Sequence, residues 1–543
     1  MITRKNTKTL TGAQIIVESL KSFGTDTVFG YPGGMVLPLY DELSRQTDIK
    51  HILVRHEQSA VHAAEGYARV SGKCGVVLVT SGPGATNTVT GIVNAYLDGY
   101  PLIILTGQVN SNLIGKDAFQ EANICDITKS CTKMTFQITS ASDIQKTLYK
   151  AYKIAMSGKK GPVVVDLAKN IFSEVSKYID SYESQSMVTT SPSLDLSKIV
   201  KEISNSNRPL IIAGGGVNHS GAYKELSDFV MKTDIPFVST MMGLGAFDAK
   251  DSHYIGMLGI FGDNSANEVA QKADLIISLG ARLNDRITCK LGNSISKDKI
   301  IQVDVNQDEI GRVYSPKCSV VADIKWFLSA LNKEITNINR YTNWLKVAQL
   351  YKNDNVEPEK ISNLRHCFEV IRALDNCTQD KNVIFTSEVG QHQLFAVKNL
   401  TINQNRKILL SGGSGTMGFG LPAAIGACIA NKDKTVVCIT GDGSIQMDLG
   451  ELILCREYNL DLKIIILNNG YLGMVRQLQQ KGYESRYYQT KISNPDFNKI
   501  AQAYGIDYIQ VKTSDNIEAI YKRVFSKRGP HIIEVDVEPM EVL

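Results

Sequence analysis

TVVCITGDGS, residues 435–444, and LKIIILNNG, residues 462–470, are two apolar runs that end on polar residues, Asp442 and Asn469. An amphipathic stretch separates them, so the segment is typical of a strand, a helix and a second strand. Parallel strands joined by a helix end at the same edge of their sheet, so we expect both polar side chains to converge on one point. The segment therefore predicts a parallel α/β sheet with a polar site at its carboxyl edge.

A hard divalent cation suits such a point. Mg2+ prefers oxygen ligands and is usually completed by phosphates of a bound ligand. Gly441 and Gly443 flank Asp442, where backbone must approach a phosphate closely. Taken singly, each half is better explained by a tight Asp-Gly turn or an Asn cap. In this order and spacing, the two halves together indicate a metal and diphosphate site.

Bulk properties restrict the class of protein. The 543 residues exceed what one core supports, so we expect two to four domains. A content of 43% hydrophobic and 21% charged residues excludes a disordered or fibrous chain. The net charge of +4 comes without a basic tail or stripe, so we expect no nucleic-acid partner.

The cysteines and the amino terminus indicate a cytoplasmic protein. There are ten cysteines and no CxxC pair, so we expect reduced, buried thiols. They include Cys74, Cys125, Cys131, Cys289, Cys318 and Cys438. The first residues, MITRKNTKTLTGAQ, contain no apolar signal core, and no apolar run approaches 18 residues, so we expect no membrane segment.

Strand-like and helical runs alternate along the chain, which predicts three doubly wound parallel-sheet domains of the α/β class. We place the domains at 1–177, 196–332 and 362–543, with polar linkers at 178–197 and 332–360. The predicted strands lie at 28–32, 51–56, 75–82, 101–107 and 161–167, then 208–216, 235–241, 273–282 and 299–306, then 383–388, 435–442, 462–469, 508–511 and 531–537.

A candidate acid lies in the first domain. Glu57, in HILVRHEQSAVHAAEGYAR (residues 51–69), follows a strand and precedes an alanine-rich helix. A carboxyl group beside apolar packing loses solvation and can then donate a hydrogen bond. By itself Glu57 is better explained as a favourable charge at a helix amino terminus.

Several motifs occur in collinear order over essentially the whole chain. They are YPGG (31–34), RHEQSAVHAAEGYAR (55–69), TSGPGATN (80–87), DAFQE (117–121), MGLGAF (242–247), GARLNDR (280–286), DEIG (308–311), GTMGFGLPAAIGA (415–427) and GDGS with the later NN. Together they resemble one family, the large catalytic subunits of acetolactate synthase, also called acetohydroxyacid synthase.

The resemblance implies pyrimidine-binding, central flavin-binding and diphosphate-binding domains. Thiamine diphosphate would lie in a V shape between two subunits, with Glu57 facing its aminopyrimidine, so at least a homodimer, or a dimer of dimers, follows. The implied reaction decarboxylates pyruvate and transfers the two-carbon unit to a second 2-keto acid, giving acetolactate for branched-chain amino acid biosynthesis. A small regulatory subunit is a possible partner.

The resemblance also assigns residues. The catalytic set is Glu57, Gly34, Phe119, Gln120 and Lys169. The thiamine diphosphate set adds Pro32, Gly84, Asn87, Gln391, His392, Gly415, Met417, Gly441, Asp442, Gly443, Ser444, Met447, Asn469, Tyr471, Leu472, Gly473 and Met474. Mg2+ would be held by Asp442, Asn469 and the main-chain carbonyl of Tyr471.

A non-redox FAD is implied for the middle domain. Its predicted contacts are Lys159, Gly214, Gly215, Gly216, Thr240, Met241, Gly259, Phe261, Gly280, Ala281, Arg282, Asn284, Arg286, Asp304 and Asp323. Three glycines after a strand are as often only a tight turn. Two positions depart from the family pattern: Lys159 stands where GRPGPV has arginine, and Phe261 stands where GMHG has histidine.

The predicted acceptor pocket comprises Met35, Lys116, Arg286 and Leu478. Arg286 matches the arginine that pairs with the acceptor carboxylate, and a surface ion pair is the less favoured alternative. Leu478 replaces a tryptophan that packs against the extra methyl of 2-ketobutyrate, a contact that contributes about 1 to 3 kcal/mol. The chain could thus prefer pyruvate as acceptor, or it could be a paralogue that uses another carbonyl such as a nucleotide-linked keto sugar. Neutral drift explains these changes equally well.

Two other classes remain open at this point. A pyruvate oxidase would use the flavin for redox chemistry, but DAFQE, GARLNDR and GTMGFG favour the synthase. A non-catalytic homologue would lack a catalytic group, whereas Glu57, Asp442 and Asn469 are all present.

Overall fold

Three six-stranded sheets, each entirely parallel, form the framework of the chain. The structure is a computed structural model and describes residues 7–180, 196–291, 299–335, 340–352 and 362–543. Helices flank the sheets, and the predicted α/β class with three doubly wound sheets is confirmed.

The amino-terminal sheet has the order β3-β2-β4-β5-β7-β6. A separate antiparallel pair, β1 with β8, closes this domain. The strands are β1 Thr7–Thr11, β2 Thr27–Tyr31, β3 Lys50–Leu53, β4 Gly75–Val79, β5 Leu102–Gln108, β6 Met134–Ile138, β7 Pro162–Ala168 and β8 Val175–Ile179. The helices are α1 Gly12–Ser22, α2 Leu37–Ser44, α3 Glu57–Ser71, α4 Pro83–Thr86, α5 Val89–Asp98, α6 Ile124–Thr128 and α7 Ile144–Met156.

The middle sheet has the order β11-β10-β9-β12-β13-β14, so the strand order reverses between β9 and β12. A crevice opens at such a reversal, and it is where ligands of doubly wound sheets usually bind. The strands are β9 Pro209–Ala213, β10 Phe237–Ser239, β11 Tyr254–Met257, β12 Leu275–Leu279, β13 Ile300–Asp304 and β14 Cys318–Val321. The helices are α8 Ser197–Asn205, α9 Gly215–Ser220, α10 Tyr223–Thr233, α11 Asn264–Lys272, α12 Asp285–Thr288, α13 Ile324–Glu334 and α14 Thr342–Tyr351.

The carboxyl-terminal sheet, β16-β15-β17-β18-β20-β19, repeats the topology of the first. Its strands are β15 Val383–Ser387, β16 Lys407–Leu409, β17 Thr435–Gly441, β18 Leu462–Asn468, β19 Asp507–Val511 and β20 His531–Asp536. Its helices are α15 Cys367–Thr378, α16 Gln391–Asn399, α17 Gly420–Ala430, α18 Asp442–Ile445, α19 Leu452–Glu457, α20 Gly473–Gly482, α21 Phe497–Tyr504 and α22 Ile517–Phe525.

Both predicted linkers need correction in the parts that the structure describes. Tyr178 lies in β8 and Ser197 begins α8, and the remaining linker residues 181–195 lie outside the described residues. The second linker contains α14, whose Trp344 is buried and donates from Nε1 to Pro209 O at 2.9 Å. Only one face of α14 is apolar, and the polar residues on its other faces made this stretch resemble a linker in the sequence.

Helices α3 and α17 join the first and third domains through small residues. A Cβ placed on Gly66 would lie 2.1 Å from Ala423 O, and one placed on Gly426 would lie 1.9 Å from Ala63 O. The two helix backbones therefore touch directly, and one apolar core runs through both domains. Because α3 begins at Glu57, this contact fixes the candidate acid relative to the carboxyl-terminal sheet.

The ten cysteines are free. Seven are buried, Cys125 and Cys377 are half-buried, and Cys289 is exposed, so the expectation of burial is wrong for Cys289. Its position directly after the four-residue helix α12 leaves it at the surface. Within the described parts of the chain, no helix is long and apolar enough to cross a bilayer.

Candidate active site

Asp442 and the residues after β18 meet at the carboxyl edge of the third sheet, as the strand-helix-strand pattern predicts. β17 and β18 are adjacent and parallel, and Asp442 begins α18 directly after β17. Asp442 Oδ2 accepts hydrogen bonds from Gly470 N at 3.0 Å and from Asn494 Nδ2 at 2.7 Å. The side chain is almost fully buried, and burial raises the pKa of its carboxyl group.

A pocket opens around this point and is lined by most residues of the predicted thiamine diphosphate set. The predicted lining residues are Gln391, His392, Met417, Gly441, Asp442, Gly443, Ser444, Asn469, Tyr471, Leu472, Gly473 and Met474. Gly415 and Met447 do not line it, and Met447 is 57% exposed. Five lining residues that the sequence analysis missed are Cys367, Val389, Gly390, Leu467 and Val475.

Two glycines in the pocket wall, Gly441 and Gly473, let the side chains of His392 and Gln391 lie directly against the backbone. A Cβ placed on Gly441 would lie 2.9 Å from His392 Nδ1, and one placed on Gly473 would lie 2.1 Å from Gln391 Oε1. Burial lowers the pKa of His392 to about 4, so the imidazole is neutral near pH 7. His392 Nε2 is buried and has no hydrogen-bond partner among the described residues. An uncompensated buried nitrogen of this kind is satisfied by a ligand oxygen, and a diphosphate fits.

The donor set also fits a hard cation. Among the described residues, no three His, Cys, Asp or Glu side chains cluster closely enough to hold a metal by themselves. Asp442 and Asn469 can each present a side-chain oxygen, and two side chains are too few for a complete shell, so a cation here would need phosphate oxygens as well. Asn494, which the sequence analysis missed, bridges Asp442 and Asn468 through its amide. It comes from a distant loop, and no spacing signal pointed to it.

A second group of predicted residues assembles in the amino-terminal domain. Glu57 Oε2 accepts a hydrogen bond from Asn87 Nδ2 at 2.9 Å, and a Cβ placed on Gly84 would lie 3.5 Å from Glu57 Oε1. Glu57 is half-buried in the single chain and is also the first residue of α3. None of the described amino-terminal residues lines the pocket around Asp442, so one chain presents two separate half-sites.

The loop of residues 115–122 carries three predicted residues. Glu121 closes the loop by accepting from the backbone N–H groups of Gly115 and Ala118. Gln120 has φ +61 and lies beside Gly82, while Phe119 is 84% exposed. Lys116 is exposed as well. The loop therefore projects an aromatic ring into solvent from a closed backbone frame.

The other predicted catalytic and acceptor residues lie on separate elements. Pro32 and Gly34 follow β2, and Met35 packs against Gly107 at the end of β5. Lys169 follows β7 and its backbone N–H donates to Val109 O at 3.4 Å. Leu478 lies on α20 and is 54% exposed.

In the middle domain the predicted glycines pack two backbone segments together at the reversal of strand order. A Cβ on Gly214 would lie 2.2 Å from Gly280 O, and one on Gly216 would lie 2.7 Å from Gly280 Cα. Gly214 also touches Ala281, and Gly215 lies against Met242. This contact explains the glycines without any ligand.

The remaining predicted flavin residues form several local contacts around the same crevice. Thr240 Oγ1 accepts from Gly243 N across the turn at Met241, Gly259 N donates to Asn267, and Asp323 caps α13. Lys159 Nζ lies 3.8 Å from the Glu309 carboxylate, and burial raises the pKa of the Asp304 carboxyl group. The guanidinium of Arg282 lies beside Gly413, and that of Arg286 lies 6.0 Å from the centroid of the Phe261 ring. Asn284 Oδ1 is buried with no partner among the described residues, which leaves one acceptor for a ligand.

Buried acids between the first and third domains were not anticipated. Glu388 accepts from the backbone N–H groups of Gly418 at 2.8 Å and Leu421 at 3.0 Å, which holds the Met417 stretch at the start of α17. Burial, together with Asp448, raises the pKa of Glu388 to about 8. Burial raises the pKa of Asp448 to about 6 and that of Glu451 to about 7.

A buried ion cluster fixes the same stretch from the other side. Arg69 forms ion pairs with Glu65 and Asp98, and Asp98 accepts from the N–H groups of Gly412 and Gly413. Arg69 is therefore an anchor of the glycine-rich segment. The sequence offered no signal for this role, because the segment that Arg69 holds is distant in the chain: Arg69 Nη1 donates to Leu410 O, 341 positions away.

Comparison with known families agrees with the three sheets. The chain matches the models described as "Thiamine pyrophosphate enzyme, N-terminal TPP binding domain" over residues 10–128, the central domain of these enzymes over 196–331, and the "C-terminal TPP binding domain" over 388–535. The first and last of these matches contain the two half-sites.

Curated relatives are similar over nearly the full chain. The acetolactate synthase large subunit of Haemophilus influenzae is 39% identical, over 98% of this chain and 96% of its own length. That of Lactococcus lactis is 39% identical over 98% and 94%, and the isozyme 2 large subunit of Escherichia coli is 36% identical over 98% and 96%. The chain therefore belongs to the acetolactate synthase large-subunit family of thiamine-diphosphate-dependent enzymes.

Proposed function

We propose that this chain decarboxylates pyruvate and transfers the two-carbon unit to a second 2-keto acid, which gives acetolactate for branched-chain amino acid biosynthesis. The observation that carries the proposal is the pocket at β17 and β18, which is lined by Asp442, Asn469 and His392, whose Nε2 has no hydrogen-bond partner among the described residues. The family supports the same reaction, because its named members are acetolactate synthases.

Each half-site would contribute a distinct task. Thiamine diphosphate, when bound, supplies the electron sink for the carbon that loses CO2. Asp442, Asn469 and the Tyr471 carbonyl would hold Mg2+ against the diphosphate, and His392 would donate to a phosphate oxygen. Glu57 would carry, on its Oε1, the proton that it exchanges with the pyrimidine ring, because its Oε2 already accepts a hydrogen bond from Asn87.

A homodimer would join the two half-sites. Because no described amino-terminal residue lines the Asp442 pocket, the site of one chain is incomplete without a second copy. Large apolar side chains are exposed on both of the domains that carry the half-sites and are of the kind that a partner covers. They include Tyr31, Leu37, Phe119, Met447 and Tyr488.

Complementation tests the activity and its location together. E57Q and D442N should each lose activity, Glu57→Gln by about 100-fold or more because it removes a proton-transfer group. Co-expressed chains should recover about a quarter of wild-type acetolactate formation, since random pairing makes half of the dimers mixed and each mixed dimer keeps one intact site. No recovery would place both groups in one chain, and full activity of E57Q would refute the proposed chemistry.

The second substrate and the flavin belong to the same proposal. The named relatives favour a 2-keto acid over the nucleotide-linked keto sugar, and Arg286 beside Phe261 offers a guanidinium for its carboxylate. FAD would occupy the crevice at Gly214 and Gly280 without a redox role. An acceptor screen with pyruvate as donor, read by product mass, identifies the acceptor, and pyruvate-dependent bleaching of the flavin would instead indicate an oxidase.

A regulatory partner completes the proposal. The relatives are named large subunits, so we infer that a separate small subunit binds this chain. Size-exclusion chromatography with light scattering of the purified chain, alone and with the candidate small subunit, tests both this partner and the homodimer.

A further inference from the structure

A cavity of about 220 Å³ lies between the middle and carboxyl-terminal domains, apart from both predicted cofactor sites. None of the residues predicted to bind thiamine diphosphate, FAD or the acceptor lines it. At about 30 Å³ for each water-sized group, the space holds about seven such groups, which is the size of a small organic molecule.

The inner wall of the cavity is apolar and aromatic. Phe237 packs edge-on against Phe247, with ring centroids 4.6 Å apart, and Met257 continues this wall from β11. Val397, which packs in one cluster with Met257, and Ile402 line the cavity from the carboxyl-terminal domain. An occupant with a flat or compact hydrocarbon body would gain contact on both sides, and ring edges favour another ring.

The charged groups that line the cavity carry a net positive charge. Lys250 and Lys398 are exposed at its opening, and Asp263 is the carboxylate among the lining residues. Asp263 Oδ2 already accepts from Met257 N at 2.8 Å, so the carboxylate is oriented by the protein itself. Two ammonium groups against one carboxylate leave one positive charge, which a monoanion balances.

From this arrangement we propose that the cavity binds a small monocarboxylate with an aromatic or compact hydrocarbon body, and that the ligand acts on the thiamine site. The carboxylate pairs with Lys250 and Lys398, and the hydrocarbon body fills the space between Phe237 and Val397.

Helix α16 provides the connection to the thiamine site. It begins with Gln391 and His392 in the diphosphate pocket and ends with Lys398 and Asn399 at the cavity. Its nine residues span about 13 Å, so an occupant that moves one end of the helix moves the other. Such coupling is reciprocal between the two ligands. This second half of the proposal rests on the proposed function, whereas the binding itself does not.

Calorimetric titration of the full chain with benzoate tests the binding, with benzamide as the neutral isostere. We expect saturable binding of benzoate and at least about tenfold weaker binding of benzamide, because benzamide carries no charge and cannot form the charge-assisted contact with the two ammonium groups. The surface variant K250Q/K398Q should bind benzoate more weakly by a similar factor. K346Q, on the exposed face of α14, should bind as the wild type does, and V397F should abolish binding by filling the space.

Absence of saturable benzoate binding, or equal binding to K250Q/K398Q and K346Q, would overturn the site. The coupling is read separately, as a change in the Kd of thiamine diphosphate with saturating benzoate. An unchanged Kd would overturn the effector role. If thiamine diphosphate does not bind at all, the proposed function fails, while the benzoate titration still decides the cavity.

Discussion

Replacing Gly426 by alanine tests whether direct backbone contact between α3 and α17 holds the first and third domains together. The new Cβ would lie 1.9 Å from Ala63 O, whereas an ordinary contact needs 3.4 Å, so the helices must separate by about 1.5 Å. The obstacle is a backbone carbonyl, which cannot rotate away. Overpacking of this kind costs about 3 kcal/mol, and the better helix propensity of alanine offsets about 1 kcal/mol. We expect a net loss of about 2 kcal/mol.

Urea unfolding followed by far-UV circular dichroism measures this loss. The G426A midpoint should fall, while that of G482A should be no lower than wild type, because Gly482 at the end of α20 has nothing within 4 Å of its added Cβ and alanine has the better helix propensity. The Kd for thiamine diphosphate should also rise in G426A, since α3 begins at Glu57 and α17 follows the Met417 stretch. A G426A midpoint equal to those of wild type and G482A would refute the close-packing argument.

Three further predictions concern the sites. Thiamine diphosphate with Mg2+ at 100 Kd should stabilise the wild type by about 2.7 kcal/mol in a thermal-shift assay, and D442N should show no such shift; an equal shift would remove Asp442 from the metal site. Burial raises the pKa of Glu388 to about 8, so the folded state retains a proton that the unfolded state releases above about 4.5, and stability should fall as pH rises from about 5 to 8. E388Q should flatten this dependence in urea titrations at each pH, and an unchanged slope would contradict the assignment. L478W should raise the product ratio for 2-ketobutyrate over pyruvate by about tenfold or more in a competition assay, because the indole adds an apolar contact; an unchanged ratio would place Leu478 outside the acceptor channel.

The strands that the sequence failed to predict within the large sheets are all edge strands. β6, β11, β14 and β16 each pair with one neighbour only, and most have partly exposed residues. An edge strand needs less apolar surface, so its periodicity is weak. Central strands are covered on both faces and read as continuous apolar runs, and all of these were predicted.

The sequence by itself determined the parallel α/β framework and the meeting of Asp442 with the end of β18, because the strand-helix-strand connection is local and allows one handedness. Motif resemblance added the half-site at Glu57. Only the tertiary structure brought Asn494 to Asp442, Arg69 to the segment after β16, and the two walls of the interdomain cavity together. These contacts join residues far apart in the chain, and they depend on how whole domains pack, which no local periodicity encodes.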